Sequence, residues 1–157
     1  MRITFAASLA AALALAAGCG SSSSSSPAPA PTPTGSGFFI TISGYAFSPA
    51  NLHVPPGGTV TVVNLDATTH SVTSESAPNA FTPGSFNGVQ FNTGAFTGTK
   101  TFVIPSSAAS GTAIPYYCIP HTSMMVPANG TITVDPNAAT TSAPSTPSMP
   151  SGGGGGY

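Results

Sequence analysis

Reactive side chains are scarce in this chain, and most of them fall within a single short stretch. Tyr116-Tyr117-Cys118-Ile119-Pro120-His121-Thr122-Ser123-Met124-Met125 brings together a thiol, an imidazole and two thioethers. Thiolate and thioether sulfur are soft donors and imidazole is borderline, a mixture that suits copper or zinc rather than the hard cations that carboxylates bind. A mononuclear site of this kind requires a second imidazole. His53 stands between Leu52 and Val54, so strand alternation turns it away from the face that its apolar neighbours bury, and it is expected on the surface. His70 remains, in the polar corner Asn64-Leu65-Asp66-Ala67-Thr68-Thr69-His70-Ser71.

These donors lie far apart in sequence, so the fold must bring them together, and the composition says which kind of fold. Hydrophobic residues make up 40% and charged residues 3%, with 18 glycines and 17 prolines. That balance favours many short strands and turns around one core. No segment past the N-terminus carries the 3.6-residue periodicity of an amphipathic helix. Phe38-Phe39-Ile40-Thr41-Ile42 alternates as a strand, with Phe38, Ile40 and Ile42 on one face. Leu52 to Val54, the β-branched run Thr59 to Asn64, a short strand around His70 to Thr73, Val89 to Gly94, Thr99 to Ile104, Ile114 to Cys118 and Gly130 to Asp135 complete the set. Pro55-Pro56-Gly57-Gly58 is a turn, and residues 74–87 read as loop. Seven to eight strands with distant pairing describe an all-β, Greek-key β-sandwich.

On these residues the chain resembles the plastocyanin/azurin-type cupredoxins, with an amicyanin-like ligand loop. The resemblance rests on Asn64-x-Asp66-x-x-x-His70-Ser71-Val72, then Tyr117-Cys118-x-x-His121-x-x-Met124, then Gly130-Thr131-Ile132-Thr133-Val134. It implies one type 1 copper ion held by His70, Cys118 and His121, with Met124 as the long axial ligand. Adjacent residues point differently, so one of Met124 and Met125 faces the metal; two intervening residues after His121 match the amicyanin-like loop and favour Met124, leaving Met125 on the rim. The resemblance also implies supporting roles for Asn64, which in the family bonds across to the ligand loop, and for Ser71, where either the hydroxyl or a backbone group makes the bridge. Residues 108–115 and the inserted Val126-Pro127-Ala128 depart from the family pattern near the metal end.

The function this implies is one-electron transfer in a membrane-tethered extracytoplasmic domain, not catalysis; no acid/base pair or activated nucleophile is visible. The alternative is a copper-binding or delivery protein that holds Cu(I) without redox cycling. Extra exposed Met or His clusters, which favour delivery, are missing from the sequence, and a binuclear centre would need a second cysteine in the site. With Lys100 set against Asp66, Glu75 and Asp135, nothing forms a phosphate-binding stripe, so nucleic acid is excluded as a partner. Redox protein partners are expected to dock on an apolar patch around His121, formed by Pro120, Met125, Val126 and Pro127, and the protein is expected to be a monomer.

The organisation follows from composition. Residues 1–18 read as a signal peptide whose apolar run is too short to span a bilayer, ending in Ala16-Ala17-Gly18-Cys19. This resembles a bacterial lipobox with Cys19 as the lipid anchor; an ordinary cleaved signal, with Cys19 incidental, is the alternative. Residues 19–36 form a Ser- and Pro-rich linker suited to a tether. Residues 37–135 are the folded domain, and 136–157 a Ser-, Pro- and Gly-rich tail with too little apolar surface to order. The expected location is the periplasm, on a bacterial membrane.

Overall fold

The computed structural model describes residues 32–145, which form nine strands and one short 3-10 turn. The strands are β1 (Ser36–Ser43), β2 (Ala46–Ser48), β3 (Asn51–Val54), β4 (Thr59–Asn64), β5 (Thr73–Ser74), β6 (Gly98–Val103), β7 (Ala113–Tyr117), β8 (Asn129–Val134) and β9 (Thr141–Ser142). They make two sheets, one in the order β2-β1-β4-β6 with β9 added to β1, the other β3-β8-β7-β5. Both sheets are mixed: β1 with β4 and β3 with β8 are parallel, and the remaining pairs are antiparallel. The expected all-β sandwich is present.

Alternation along each strand builds the core between the sheets. Ile40, Ile42, Val60 and Val62 come from the first sheet, and Val54, Ile114, Ile132 and Val134 from the second. All are buried. In register, Phe38 stands beside Val60 and Ile40 beside Val62, while Ile132 is flanked by Leu52 and Ile114. A core of this kind supports marginal stability without a disulfide.

The close contact between β7 and β8 depends on a glycine. Tyr116 pairs with Gly130, and its fully buried ring lies across that residue. A Cβ on Gly130 would fall on the Tyr116 ring and hydroxyl, and 2.6 Å from the carbonyl oxygen of Ala50. The Tyr116 hydroxyl donates to that same carbonyl at 3.2 Å, and burial pushes its phenol well above the ordinary tyrosine range. Tyr116 therefore secures the strand that leads into Cys118 against the β2–β3 connection.

Three expectations change. The segment at His70 forms a single bridge with Phe96 instead of a strand, and pairing begins at Thr73. Residues 89–94 likewise make only isolated bridges, Thr73 with Asn92 and Phe86 with Val89. Side chains supply half of the ladder here: the Ser74 and Thr93 amides donate to the Phe91 and Val72 carbonyls, but in return Ser74 Oγ accepts from Phe91 N at 3.0 Å and Thr93 Oγ1 from Val72 N at 2.9 Å, and Ser74 Oγ also donates to Gly84 O at 2.7 Å. Lastly, the chain past Asp135 is not structureless throughout. Asp135 accepts from the Asn137 and Ala138 amides, and β9 pairs Ser142 with Ser36 and Thr141 with Gly37. Backbone pairing, which needs no apolar side chain, orders it.

Candidate metal centre

Cys118 immediately follows β7 with an extended backbone (φ −102°, ψ 113°), and the chain then winds into the 3-10 turn Ile119–His121. Extended geometry up to Cys118 keeps its thiol on the inward face, where it is fully buried. The turn brings His121 back over the sulfur, with Nδ1 at 3.8 Å from Cys118 Sγ. Pro120 lies within the first turn, where its missing N–H costs nothing. Thr122 Oγ1 closes the turn by donating to the Cys118 carbonyl at 3.2 Å.

His70 comes from the other side of the sandwich, in the connection between β4 and β5. Its backbone exchanges both hydrogen bonds with Phe96, at 3.0 and 2.9 Å, which fixes the ring's starting point. The ring is fully buried, with Nδ1 at 3.5 Å from Cys118 Sγ. The donor atoms of His70, Cys118 and His121 all lie within 4.8 Å of one another. On the far side of the His70 ring, Nε2 stands 3.0 Å from Asp66 Oδ2. Buried Nε2 has no other polar partner among the described residues, and the Asp66 carboxylate beside it holds the ring with Nδ1 toward the sulfur.

Electrostatics favour the neutral, ligating form of His70. Burial lowers its pKa, proximity to His121 lowers it further, and the Asp66 carboxylate opposes both without reversing them. Burial also works against ionisation of Asp66. The amides of Tyr45 and Gly44, with His70, outweigh it and hold that carboxyl below the usual value.

Ser71 performs the bridge expected of it, through its hydroxyl. Oγ accepts from Ile119 N at 2.9 Å, and the Ser71 amide itself points at Cys118 Sγ at 3.4 Å. One residue thus ties the His70 segment to the ligand loop and supplies an N–H to the sulfur. Asn64 has a different task from the expected one. Its side-chain amide donates to the carbonyls of Thr68 and Phe96, both at 2.9 Å, and its Oδ1 accepts from Asp66 N at 3.0 Å. It shapes the corner that presents His70 and does not reach the ligand loop.

The thioethers exchange places. Met124 is 52% exposed, whereas Met125 is 3% exposed and belongs to the core cluster that contains Cys118. The expectation assumed a spacing rule; the backbone coils instead, with both Met124 N and Met125 N directed at the His121 carbonyl, at 2.9 and 3.1 Å. This coil carries Met125 inward while Met124 stays outside, and the next amide, Val126 N, is held by Tyr45 O at 2.9 Å. The inner thioether is therefore Met125.

His53 lies on β3, 3.1 Å from Asp135, with a side chain 58% exposed, and takes no part in the site. Cys19 falls outside the described residues. Two participants carry no role that the sequence reading assigns. Asp66 is a named position of the motif but no task goes with it there, and Tyr45, whose ring contacts both imidazoles, lies far from any ligand in sequence.

A buried thiol with no disulfide partner, an N–H aimed at its sulfur and two converging imidazole nitrogens form a donor set suited to copper. Fold and site together define a copper-binding β-sandwich of the cupredoxin kind, an electron-transfer fold. A family model for copper-binding proteins of the plastocyanin/azurin family matches residues 39–135. The chain belongs to that family.

Solved structures similar to the chain include an oxidised amicyanin mutant, at 19% identity and a TM-score of 0.45 over 63% of this chain and 82% of that one. A reduced Cu(I) amicyanin mutant at pH 4 shares 20% identity, with a TM-score of 0.46 and the same coverage. A purple cupredoxin from Nitrosopumilus maritimus shares 24%, with a TM-score of 0.43 over 62% and 97%. No curated protein matches the chain.

Proposed function

We propose that this protein is a one-electron carrier built on a single type 1 copper that His70 Nδ1, Cys118 Sγ and His121 Nδ1 would hold, with the buried Met125 thioether as the candidate for a weaker fourth donor. The observation that carries the reading is the convergence of those three donor atoms within 4.8 Å at a buried position. Copper bound there supplies the one-electron couple. The chain's own residues fix the donors: Ser71 bonds the ligand loop, Phe96 holds the His70 backbone, and Asn64 shapes the corner before it. Donors braced from both sheets resist rearrangement, which favours rapid transfer over tight one-state storage.

His121 is partly exposed and is the proposed route for the electron. The surface beside it is apolar: Ile119 is 43% exposed, Met124 52% and Val126 75%. Pro120 is exposed as well. Of the patch expected from sequence, Pro120, Val126 and Pro127 are exposed and Met125 is buried, with Ile119 and Met124 exposed beside them. With so few charges on the chain, docking of a redox protein partner rests on apolar contact, over an interface below about 1,200 Å². Electron exchange should then vary little with ionic strength; a steep dependence would refute this docking mode.

The N-terminal segment is read as a lipoprotein signal, with Cys19 lipidated and the domain displayed outside the cytoplasm on a bacterial membrane. Labelled-lipid incorporation that disappears in Cys19→Ala tests this. The copper assignment is tested by loading purified protein with Cu(II) and comparing it with Cys118→Ser. An intense blue thiolate-to-copper absorption with reversible voltammetry is expected from the unmutated protein only. A colourless protein with tight Cu(I) binding would replace the carrier reading with copper delivery.

A further inference from the structure

The turn between β1 and β2 contributes no donor atom, yet it touches both imidazoles. The Tyr45 ring meets His70 edge-on, with centroids 5.2 Å apart and planes at 74°, and meets His121 in the same manner at 5.0 Å and 83°. Three backbone hydrogen bonds hold the turn there. Gly44 N donates to Asp66 Oδ1 at 2.7 Å, Tyr45 N donates to Asp66 Oδ2 at 3.1 Å, and Tyr45 O accepts from Val126 N at 2.9 Å.

Both turn residues have positive φ, 58° at Gly44 and 60° at Tyr45. Glycine adopts this freely, but a tyrosine must bring its Cβ toward a neighbouring carbonyl to do so. Such a residue persists where its surroundings determine it from several sides. Here a carboxylate fixes one side and the end of the ligand loop the other. The result is a half-buried ring set against both imidazoles, beside a thiol that is itself fully buried.

We propose that Tyr45 is a positioning residue of the metal centre: its ring braces His70 and His121 and shields Cys118 from water, and Asp66 is the clamp that seats it. The packing is a property of the protein without metal; the naming of the centre rests on the copper reading above.

The test uses the full metal-free chain with Cys19→Ser as background, so that Cys118 is the only thiol. Its rate of reaction with a disulfide reagent reports local opening of the site. Tyr45→Gly removes the ring and relieves the left-handed backbone, so the turn itself is kept. Reaction at least about tenfold faster than background is expected for Tyr45→Gly, with Tyr45→Phe within about twofold because the packing edge remains. Asp66→Asn, which leaves the ring in place but weakens its seat, should also react faster.

After copper loading, Tyr45→Gly should move the thiolate-to-copper absorption and the midpoint potential, and Tyr45→Phe should restore both. The proposal is overturned if Tyr45→Gly reacts and absorbs like the background protein, if Tyr45→Phe is as reactive as Tyr45→Gly, or if Asp66→Asn changes nothing. Because the thiol rates are read without metal, a failure of the copper reading would show in the loaded samples alone.

Discussion

The identity of the inner thioether can be settled by two adjacent truncations, Met124→Ala and Met125→Ala. Met125 is 3% exposed and lies in the core cluster with Cys118, so its truncation removes three buried heavy atoms and leaves a void. Burying a methionine side chain is worth about 1.5–3 kcal/mol, and core Met→Ala changes cost about 2–5 kcal/mol in total. The position is in a loop, which can close partly over the gap, so the lower part of that range applies: about 2–3 kcal/mol. For a domain of this size that is a fall in Tm on the order of 10 °C. Met124, at 52% exposure, should change stability by no more than about 0.5 kcal/mol.

Denaturant titration should be run on metal-free protein, because a bound ion stabilises the folded state by mass action and would mix packing with ligation. The loaded variants then report the axial role separately. Met125→Ala should shift the midpoint potential and the thiolate-to-copper absorption, since the axial ligand tunes both, and Met124→Ala should leave them unchanged. The reasoning fails if Met124→Ala costs more than Met125→Ala, or if only the former alters the spectrum.

Gly130→Ala should destabilise the fold by about 1–3 kcal/mol in denaturant titration, because the added Cβ meets the Tyr116 ring and the Ala50 carbonyl and the backbone must give way. Ser71→Ala deletes the acceptor of the Ile119 amide; a cost of about 1 kcal/mol is expected, with roughly fivefold faster exchange of that amide. The Asn137 amide first, then His53, hold Asp135 below its ordinary pKa, so its contribution to stability is full above the unfolded carboxylate value and is lost as pH falls through the folded one. Stability curves of Asp135→Asn and the unmutated protein should therefore diverge above about pH 4 and converge in stronger acid.

How much of this was legible depended on whether the signal lay in spacing or in conformation. Cys118, His121 and His70 could be read because three such donors seldom occur together in a chain so poor in reactive groups, and because β-branched runs located the strands that carry them. Part of the core was legible from period-two alternation, which put Ile40 and Ile42 on one face. Met125 was not legible, since deciding between neighbours requires knowing whether the chain coils or extends after His121, and the coil is set by hydrogen bonds to the His121 carbonyl. Asn64 was misassigned in detail because an amide side chain can satisfy any of several nearby carbonyls. Tyr45 left no trace, as its role arises from a turn held by Asp66 twenty-one residues away. The pairing of Thr141 and Ser142 was equally hidden, because it is made by backbone groups that every sequence possesses.

That last pairing bears on how a tethered carrier would present its site. The metal pole is marked by the end of β4 at Asn64, the end of β1 at Ser43 and the end of β7 at Tyr117. β1 runs away from that pole to Ser36, and a rise of about 3.3 Å per residue separates its two ends by roughly 23 Å. β9 pairs with the distal end, Ser142 beside Ser36, and Ala143 N donates to Gly35 O at 2.8 Å. Both the incoming and the outgoing chain therefore leave the described domain at the pole opposite the donors. On the proposed reading, a linker preceding Ser36 attaches to the side of the domain that has no role in transfer. The apolar surface of Ile119, Met124 and Val126 then faces away from the point of attachment, where a partner can reach it.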